Sequence, residues 1–364
     1  MSVFLDTNIF FNNWYVTNLN FKLLFHYLAN EGHTLLLSEV VVKEVNNKRE
    51  QQATELISEL LSKLKKLNYL NEKPLKLPKE INEIQPYDIR DILGCKAEHI
   101  DDISFNNIEH EEVVERALKS VKPFTSGEKG YRDTLIWLSF LRYLKENSVK
   151  GDVAFITANA TDFFVNNNKE LQFHSSLQND IDSFELECKI IPFNSLHSFL
   201  STSVDKIENS INKNSFLDDN ESFLMEETVS FIESLEGSRL SDFLDTPNFH
   251  TKLPYVKEVQ AAIFDGIEDP EVYSVSNLSG DLAYVDAFFE MRELTFNLVI
   301  DINEYRANAD YIEQLYGLYN IELNKEQETV TLGFHGKISV TAAIGYNLKT
   351  SEVTEIDFNE AYYQ

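Results

Sequence analysis

Short apolar runs alternate with amphipathic stretches over the first 200 residues. Val3-Phe4-Leu5 predicts a strand that ends at Asp6. Phe21, Leu24, Phe25 and Leu28 recur at helical spacing, and Gly32 follows as a stop. Thr34 to Leu37 predicts a second strand, after which Ser38 caps a helix through Val41, Val42 and Val45. An amphipathic helix continues over residues 51–68. Residues 70–115 are rich in Pro, Asn and charge and are the least regular part of this half. Residues 131–146 predict a strong helix, with Ile136, Trp137, Phe140, Leu141 and Leu144 on one stripe. Val153 to Ile156 and Lys189 to Pro192 supply a third and a fourth strand. Strands separated by helices predict an α/β unit, a parallel sheet covered on both faces.

The pattern changes in the second half. Residues 201–222 are rich in Ser, Asn and Asp and read as a linker. A helix is predicted over 223–235. Segments 272–276, 283–289, 294–301, 329–334, 337–346 and 352–358 favour strands joined by local hairpins, with one helical stretch at 308–316. The expected organisation is an α/β domain over 1–200, with an insertion near 51–115. The linker 201–222 and a mainly antiparallel β (α+β) domain over 223–364 follow.

Composition narrows the function classes. The chain has 364 residues, 32 basic and 60 acidic side chains, and a net charge of −28. Such acidity repels nucleic acid at long range. The charge is divided unevenly, however. Residues 1–200 carry 22 basic and 29 acidic side chains, a net of −7, and residues 201–364 carry 10 and 31, a net of −21. Residues 41–80 and 116–150 are basic, at +3 and +5. Two cysteines, Cys95 and Cys188, exclude a disulfide framework and a cysteine zinc site. They read as buried small apolar residues. No segment is apolar enough to span a bilayer, and Met1 to Asp6 lacks a signal-peptide pattern, so the expected location is cytoplasmic.

Four segments carry candidate chemistry. Strand one ends in Asp6-Thr7-Asn8. Strand two leads into Ser38-Glu39-Val40-Val41-Val42-Lys43-Glu44-Val45. Lys129-Gly130-Tyr131-Arg132-Asp133 announces the helix over 131–146. Strand three ends in Phe155-Ile156-Thr157-Ala158-Asn159-Ala160-Thr161-Asp162-Phe163. In this order, at these strand and helix ends, the four resemble the PIN domain, a metal-dependent nuclease fold. The third motif is similar to that of PIN-like domains in larger bacterial proteins. The resemblance covers roughly residues 1–200, less the insertion. It implies phosphodiester hydrolysis, with RNA favoured over DNA, and roles as a toxin, an RNA-processing enzyme or a defence effector. The 164 residues after position 200 depart from the usual single-domain toxin.

The residues support this reading in their own right. Sites in an open parallel sheet form at the carboxyl ends of its strands. Asp6 and Asp162 follow strand ends, and Glu44 and Asp133 lie on helices that follow strands or border the apolar stripe. Four carboxylates gathered in one pocket need a counter-charge. All-oxygen ligation favours Mg²⁺ or Mn²⁺ over zinc. Asp6, Glu44, Asp133 and Asp162 are therefore the expected metal ligands and catalytic residues. Each has a plainer reading: Asp6 and Asp133 as helix-start carboxylates, Glu44 as a solvated helix residue. Glu39 competes with Glu44, but its first-turn position suits the helix dipole. Asn8 and Asn159 are candidates for substrate contact, and Asn159 also competes with Asp162. Thr157 is expected to orient a carboxylate through its hydroxyl, and Lys129 and Arg132 read either as steering a phosphate or as solvated surface charges.

Other features carry less. Lys63, Lys65, Lys66, Lys73, Lys76 and Lys79 read either as a backbone-binding strip or as a solvated helix face. Tyr69 and Tyr87 could stack on bases or anchor a loop. The scattered histidines offer no nucleophile–base pair, and Gly127 and Gly130 lack a phosphate-loop pattern. The acidic C-terminal domain reads as a solubiliser, as a competitor of nucleic acid for the basic stretches, or as the surface for a protein partner. A structure-selective DNA nuclease and an inactive scaffold are the competing functions.

Overall fold

A computed structural model describes residues 1–76, 85–124, 129–167, 170–204, 211–213, 215–244, 256–263 and 266–364. Lys79 and Gly127 lie outside the described residues. The chain divides into two compact units, Met1–Ser203 and Val204–Gln364.

The first unit opens with β1 (Ser2–Leu5) and a 3-10 turn, Thr7–Phe10. Helix α1 (Leu19–Glu31) is capped by Asn18, whose side chain accepts from the Phe21 amide, and stops at Gly32 in the left-handed region. Then come β2 (Thr34–Ser38), α2 (Glu39–Asn68), α3 (Ile89–Gly94), β3 (Ile100–Ile103) and α4 (His110–Leu118). Helix α5 (Tyr131–Glu146) leads to β4 (Gly151–Ile156), the one-turn α6 (Ala160–Phe163) and a hairpin of β5 (Phe164–Asn167) and β6 (Glu170–Phe173). The unit closes with α7 (Ser175–Phe184), β7 (Cys188–Phe193) and α8 (Leu196–Ser203).

Five strands form one parallel sheet in the order β3-β2-β1-β4-β7. Strands β1, β2 and β4 sit inside it, and their apolar runs are buried. The core beside β1 and β4 is aromatic: Phe4 stacks on Phe155, and Trp137 and Phe140 of α5 pack against Phe155. This places the start of α5 at the carboxyl end of the sheet.

Two readings need correction. Residues 51–115 are not wholly an insertion, because β3 within them pairs with β2 as an edge of the sheet. The strand is Ile-Asp-Asp-Ile with exposed aspartates, so no apolar run announces it. The helix expected to begin at Ser38 and to continue over 51–68 is a single helix of 30 residues. Cys95 is exposed at the end of α3 rather than buried, whereas Cys188 is half-buried, and both are free thiols.

The second unit contains α9 (Phe216–Asp219), α10 (Glu221–Glu233) and α11 (Gly237–Leu244), then β8 (Val256–Ile263), β9 (Ile267–Ser279) and β10 (Leu282–Asp301). Helix α12 (Ile302–Ile312), β11 (Leu318–Asn324), β12 (Thr329–Asn347) and β13 (Glu352–Tyr363) complete it. The six strands form one antiparallel sheet around β10 and β12. The stretch 201–222 is not linker throughout, since α9 buries Phe216 and Leu217 in the core of this unit. The strands expected at 283–289 and 294–301 are one strand, β10, interrupted by a bulge between Met291 and Leu294.

Candidate active site

Asp6 is the first residue beyond β1, and its amide donates to the Ile156 carbonyl of β4 (3.0 Å). Its buried carboxylate accepts three hydrogen bonds: from the Thr7 amide (2.7 Å), the Thr157 hydroxyl (2.6 Å) and the Asn8 side chain (3.2 Å). Asn8 also donates to the Thr157 hydroxyl oxygen (3.1 Å) and accepts from the Ala158 amide (2.9 Å). Asn8 and Thr157 thus lace the loops after β1 and β4 together around Asp6. Burial raises the Asp6 carboxyl above its ordinary range. The donors from Thr157 and Thr7 oppose this, and the charge of Glu44 adds to it.

Glu44 lies on α2, where Ser38 caps the helix through a side-chain bond from the Val40 amide. The Thr7 hydroxyl donates to one carboxylate oxygen of Glu44 (3.1 Å), and Arg132 pairs with the other. Glu39, on the first turn, instead accepts from Ser104 (3.4 Å).

Asp133 is in the first turn of α5. That helix begins at Gly130, whose φ of +109° and close approach to the Pro123 carbonyl leave no room for a Cβ. Asp133 is half-buried, and its carboxyl is pushed up to about 7. Burial is the main cause, followed by the charges of Asp6, Glu44 and Asp162, with Arg132 opposing. Asp162, in α6, is paired with Lys122 (3.1 Å), which also donates to the Thr161 carbonyl (2.9 Å).

The structure therefore brings Asp6, Glu44, Asp133 and Asp162 into one electrostatic neighbourhood from four separate elements. Arg132 joins them through Glu44. Lys129 is exposed one residue before Gly130, and Asn159 is half-buried, its amide donating to the Thr157 hydroxyl oxygen (3.0 Å). Tyr87 is half-buried and donates to the Trp14 carbonyl (2.6 Å), which makes it a loop anchor, whereas Tyr69 is exposed. Sequence reasoning did not single out Thr7 as a Glu44 partner or Lys122 as an Asp162 partner. The only signal for Lys122 was its place in the basic stretch 116–150.

The donor set is all oxygen and carries more negative charge than its surroundings neutralise, which fits a hard divalent cation. Among the described residues, no group of three or more His, Cys, Asp or Glu side chains is arranged so that it could hold a metal ion. The carboxylates of Glu44 and Asp162 are turned to Arg132 and Lys122. A cation entering the pocket would compete with those two side chains for its ligands.

Residues 3–163 match the sequence profile of the PIN domain family. No curated protein and no solved structure matches the chain. PIN domains are in general metal-dependent nucleases acting on nucleic acid. No helix among the described residues is long and apolar enough to cross a membrane. The parallel sheet, the carboxylates at its carboxyl end and the matched span together place the N-terminal part of the chain in the PIN domain family.

Proposed function

We propose that the protein is a Mg²⁺- or Mn²⁺-dependent endoribonuclease whose acidic C-terminal unit regulates or targets it. The observation that carries this reading is the match of residues 3–163 to the PIN domain family, together with the charges of Asp6, Glu44 and Asp162 that add to burial in raising the Asp133 carboxyl. Carboxylates from four elements lie near enough for Asp133 to feel the charges of the other three, and stability alone gives no reason to gather them.

When bound, the cation supplies a counter-charge, Lewis-acid stabilisation of a phosphoryl oxygen and a more acidic water. The chain's own residues do the rest. Asp6 is fixed by Thr157, Asn8 and the Thr7 amide and serves as the immobile ligand. Glu44 and Asp162 are ligands delivered from α2 and α6. Asp133 completes the set of ligands; its carboxyl is raised to about 7 by burial and by the neighbouring charges while no divalent cation offsets them. Arg132 and Lys129 draw in the scissile phosphate, and Asn159 contacts the substrate beside it.

RNA is the substrate we infer, from the usual activity of PIN domains. The second unit exceeds what a lone toxin domain needs, which suits a regulated nuclease such as a defence effector. The test is incubation of the purified protein with labelled RNA and labelled DNA in Mg²⁺, Mn²⁺ or EDTA. RNA cleavage that EDTA stops supports the reading. Cleavage of branched DNA alone would make it a structure-selective DNA nuclease. Inertness toward both would leave a protein-binding scaffold.

A further inference from the structure

Lys122 stands at the Asp162 edge of the carboxylate cluster, on a backbone tied down at several points. It sits in the turn after α4. There the Val121 amide donates to the Arg116 carbonyl (3.0 Å) and the Phe124 amide to the Val121 carbonyl (3.0 Å). Phe124 is buried, and the Pro123 carbonyl lies against Gly130 at the start of α5. The Lys122 carbonyl accepts from the Arg116 guanidinium (2.8 Å). That guanidinium is locked in turn. It forks onto both carboxylate oxygens of Asp180 in α7 (3.0 and 2.6 Å), and Asp180 also accepts from the buried Trp137 indole (2.9 Å). A two-pronged pair of this kind fixes geometry as well as charge.

The Lys122 side chain is held more loosely than its backbone. Its ammonium donates to Asp162 (3.1 Å) and to the Thr161 carbonyl (2.9 Å), and it remains partly open to solvent. A single, partly exposed lysine pair is weak and readily exchanged. Arg132, the other cation on the cluster, has more than half of its side chain exposed.

We propose that Lys122 is a further catalytic residue, an ammonium that covers Asp162 until the site is loaded and then donates to a non-bridging oxygen of the scissile phosphate, with Arg116 as its positioning residue. The proposal rests on the nuclease reading, in which Asp162 is a ligand. A phosphoryl group held at that site arrives beside a cation whose backbone need not move. Water attacks phosphorus and the ribose oxygen leaves. Lys122 offsets the charge that builds on the phosphoryl oxygen and transfers no proton.

Two measurements on Lys122→Met are expected to move in opposite directions. Calorimetric titration should show Mn²⁺ binding tightened about fivefold, because the competitor on Asp162 is gone. At saturating Mn²⁺, kcat on labelled RNA should fall about a hundredfold, with KM changed less and the circular dichroism spectrum unchanged. Arg116→Lys keeps a charge on Asp180 but loses the arm to the Lys122 carbonyl. It should lower kcat about tenfold, and this loss should vanish in the Lys122→Met background. A lysine that only holds Asp162 in place predicts weaker Mn²⁺ binding by Lys122→Met, and that result overturns the proposal. An unchanged Mn²⁺ affinity or a wild-type kcat overturns it too, as does an Arg116→Lys loss that persists without Lys122. If the wild type binds Mn²⁺ and cleaves RNA while these variants match it, the nuclease reading stands and this proposal alone fails. A wild type that cleaves neither RNA nor DNA overturns both.

Discussion

The two units use the same side chains to opposite ends. In the N-terminal unit, Asp6 and Asp133 are gathered with Glu44 and Asp162, and both carboxyls are pushed toward the protonated form. In the C-terminal unit, Glu290 is held ionised by Lys337 (2.6 Å) and Ser339 (2.7 Å). Asp301 is held ionised by the Asn303 amide and by Lys257. The second unit carries three times the net charge of residues 1–200, yet these carboxylates are partnered singly. Charge count alone therefore does not single out the proposed site. Convergence of carboxylates from separate elements, only two of which have a cation beside them, is what marks the proposed site, and such convergence costs stability until a metal ion offsets it.

The strongest way to break this comparison is by activity. Asp6→Asn and Asp133→Asn should each reduce cleavage to background with the circular dichroism spectrum unchanged. Glu290→Gln and Asp301→Asn should cleave at the wild-type rate. Wild-type rates in either N-terminal variant would remove the contrast between the units.

Stability against pH sharpens it. Folding raises the Asp133 carboxyl from 3.8 to about 7. Its favourable contribution is therefore complete below about pH 4 and is lost as pH climbs through 7. In EDTA, Asp133→Asn should be more stable than the wild type at pH 7.5, by about 4 kcal/mol at most, and the gap should close toward pH 4. Denaturant melts at the two pH values measure this, and a gap that does not change with pH would refute it. Glu290→Gln should act in the other direction. Its depressed carboxyl contributes stability above its ordinary range, so the variant should melt lower at pH 7.5, by roughly 1–3 °C.

The smallest effect concerns the acidic surface of the second unit. If it competes with nucleic acid for the basic stretches of the first, a chain ending after Ser203 should cleave RNA faster at low salt. The advantage should vanish as salt screens both surfaces. A folded truncated chain with the wild-type rate at every salt concentration would reduce this unit to a module without influence on cleavage.

Much of this was readable before the structure. The ends of β1 and β4 were marked by apolar runs stopping at polar residues, and these positions placed Asp6 and Thr157. The α5 stripe placed Asp133 beside the core. What stayed hidden depends on long-range pairing. Lys122 reaches Asp162 across forty residues, and Arg132 reaches Glu44 across eighty-eight. Strand β3 is an edge strand with two outward aspartates, and β8 and β11 are polar edge strands, so none shows a clear alternation. The join within β10 was obscured by Arg292 and Glu293, where Glu293 takes a positive φ at the bulge. On α2 the apolar periodicity was plain, but only the structure shows that nothing of the helix beyond Val45 is buried.

Metal binding tests the central claim, that the four carboxylates form one divalent-cation site, most directly. Mn²⁺ should be titrated calorimetrically into wild type, Glu44→Gln and Glu39→Gln at pH 7.5. The account predicts saturable binding by the wild type and by Glu39→Gln, with affinity lost or sharply weakened in Glu44→Gln. Wild-type protein that takes up no Mn²⁺, or an affinity that depends on Glu39 and not on Glu44, would contradict it.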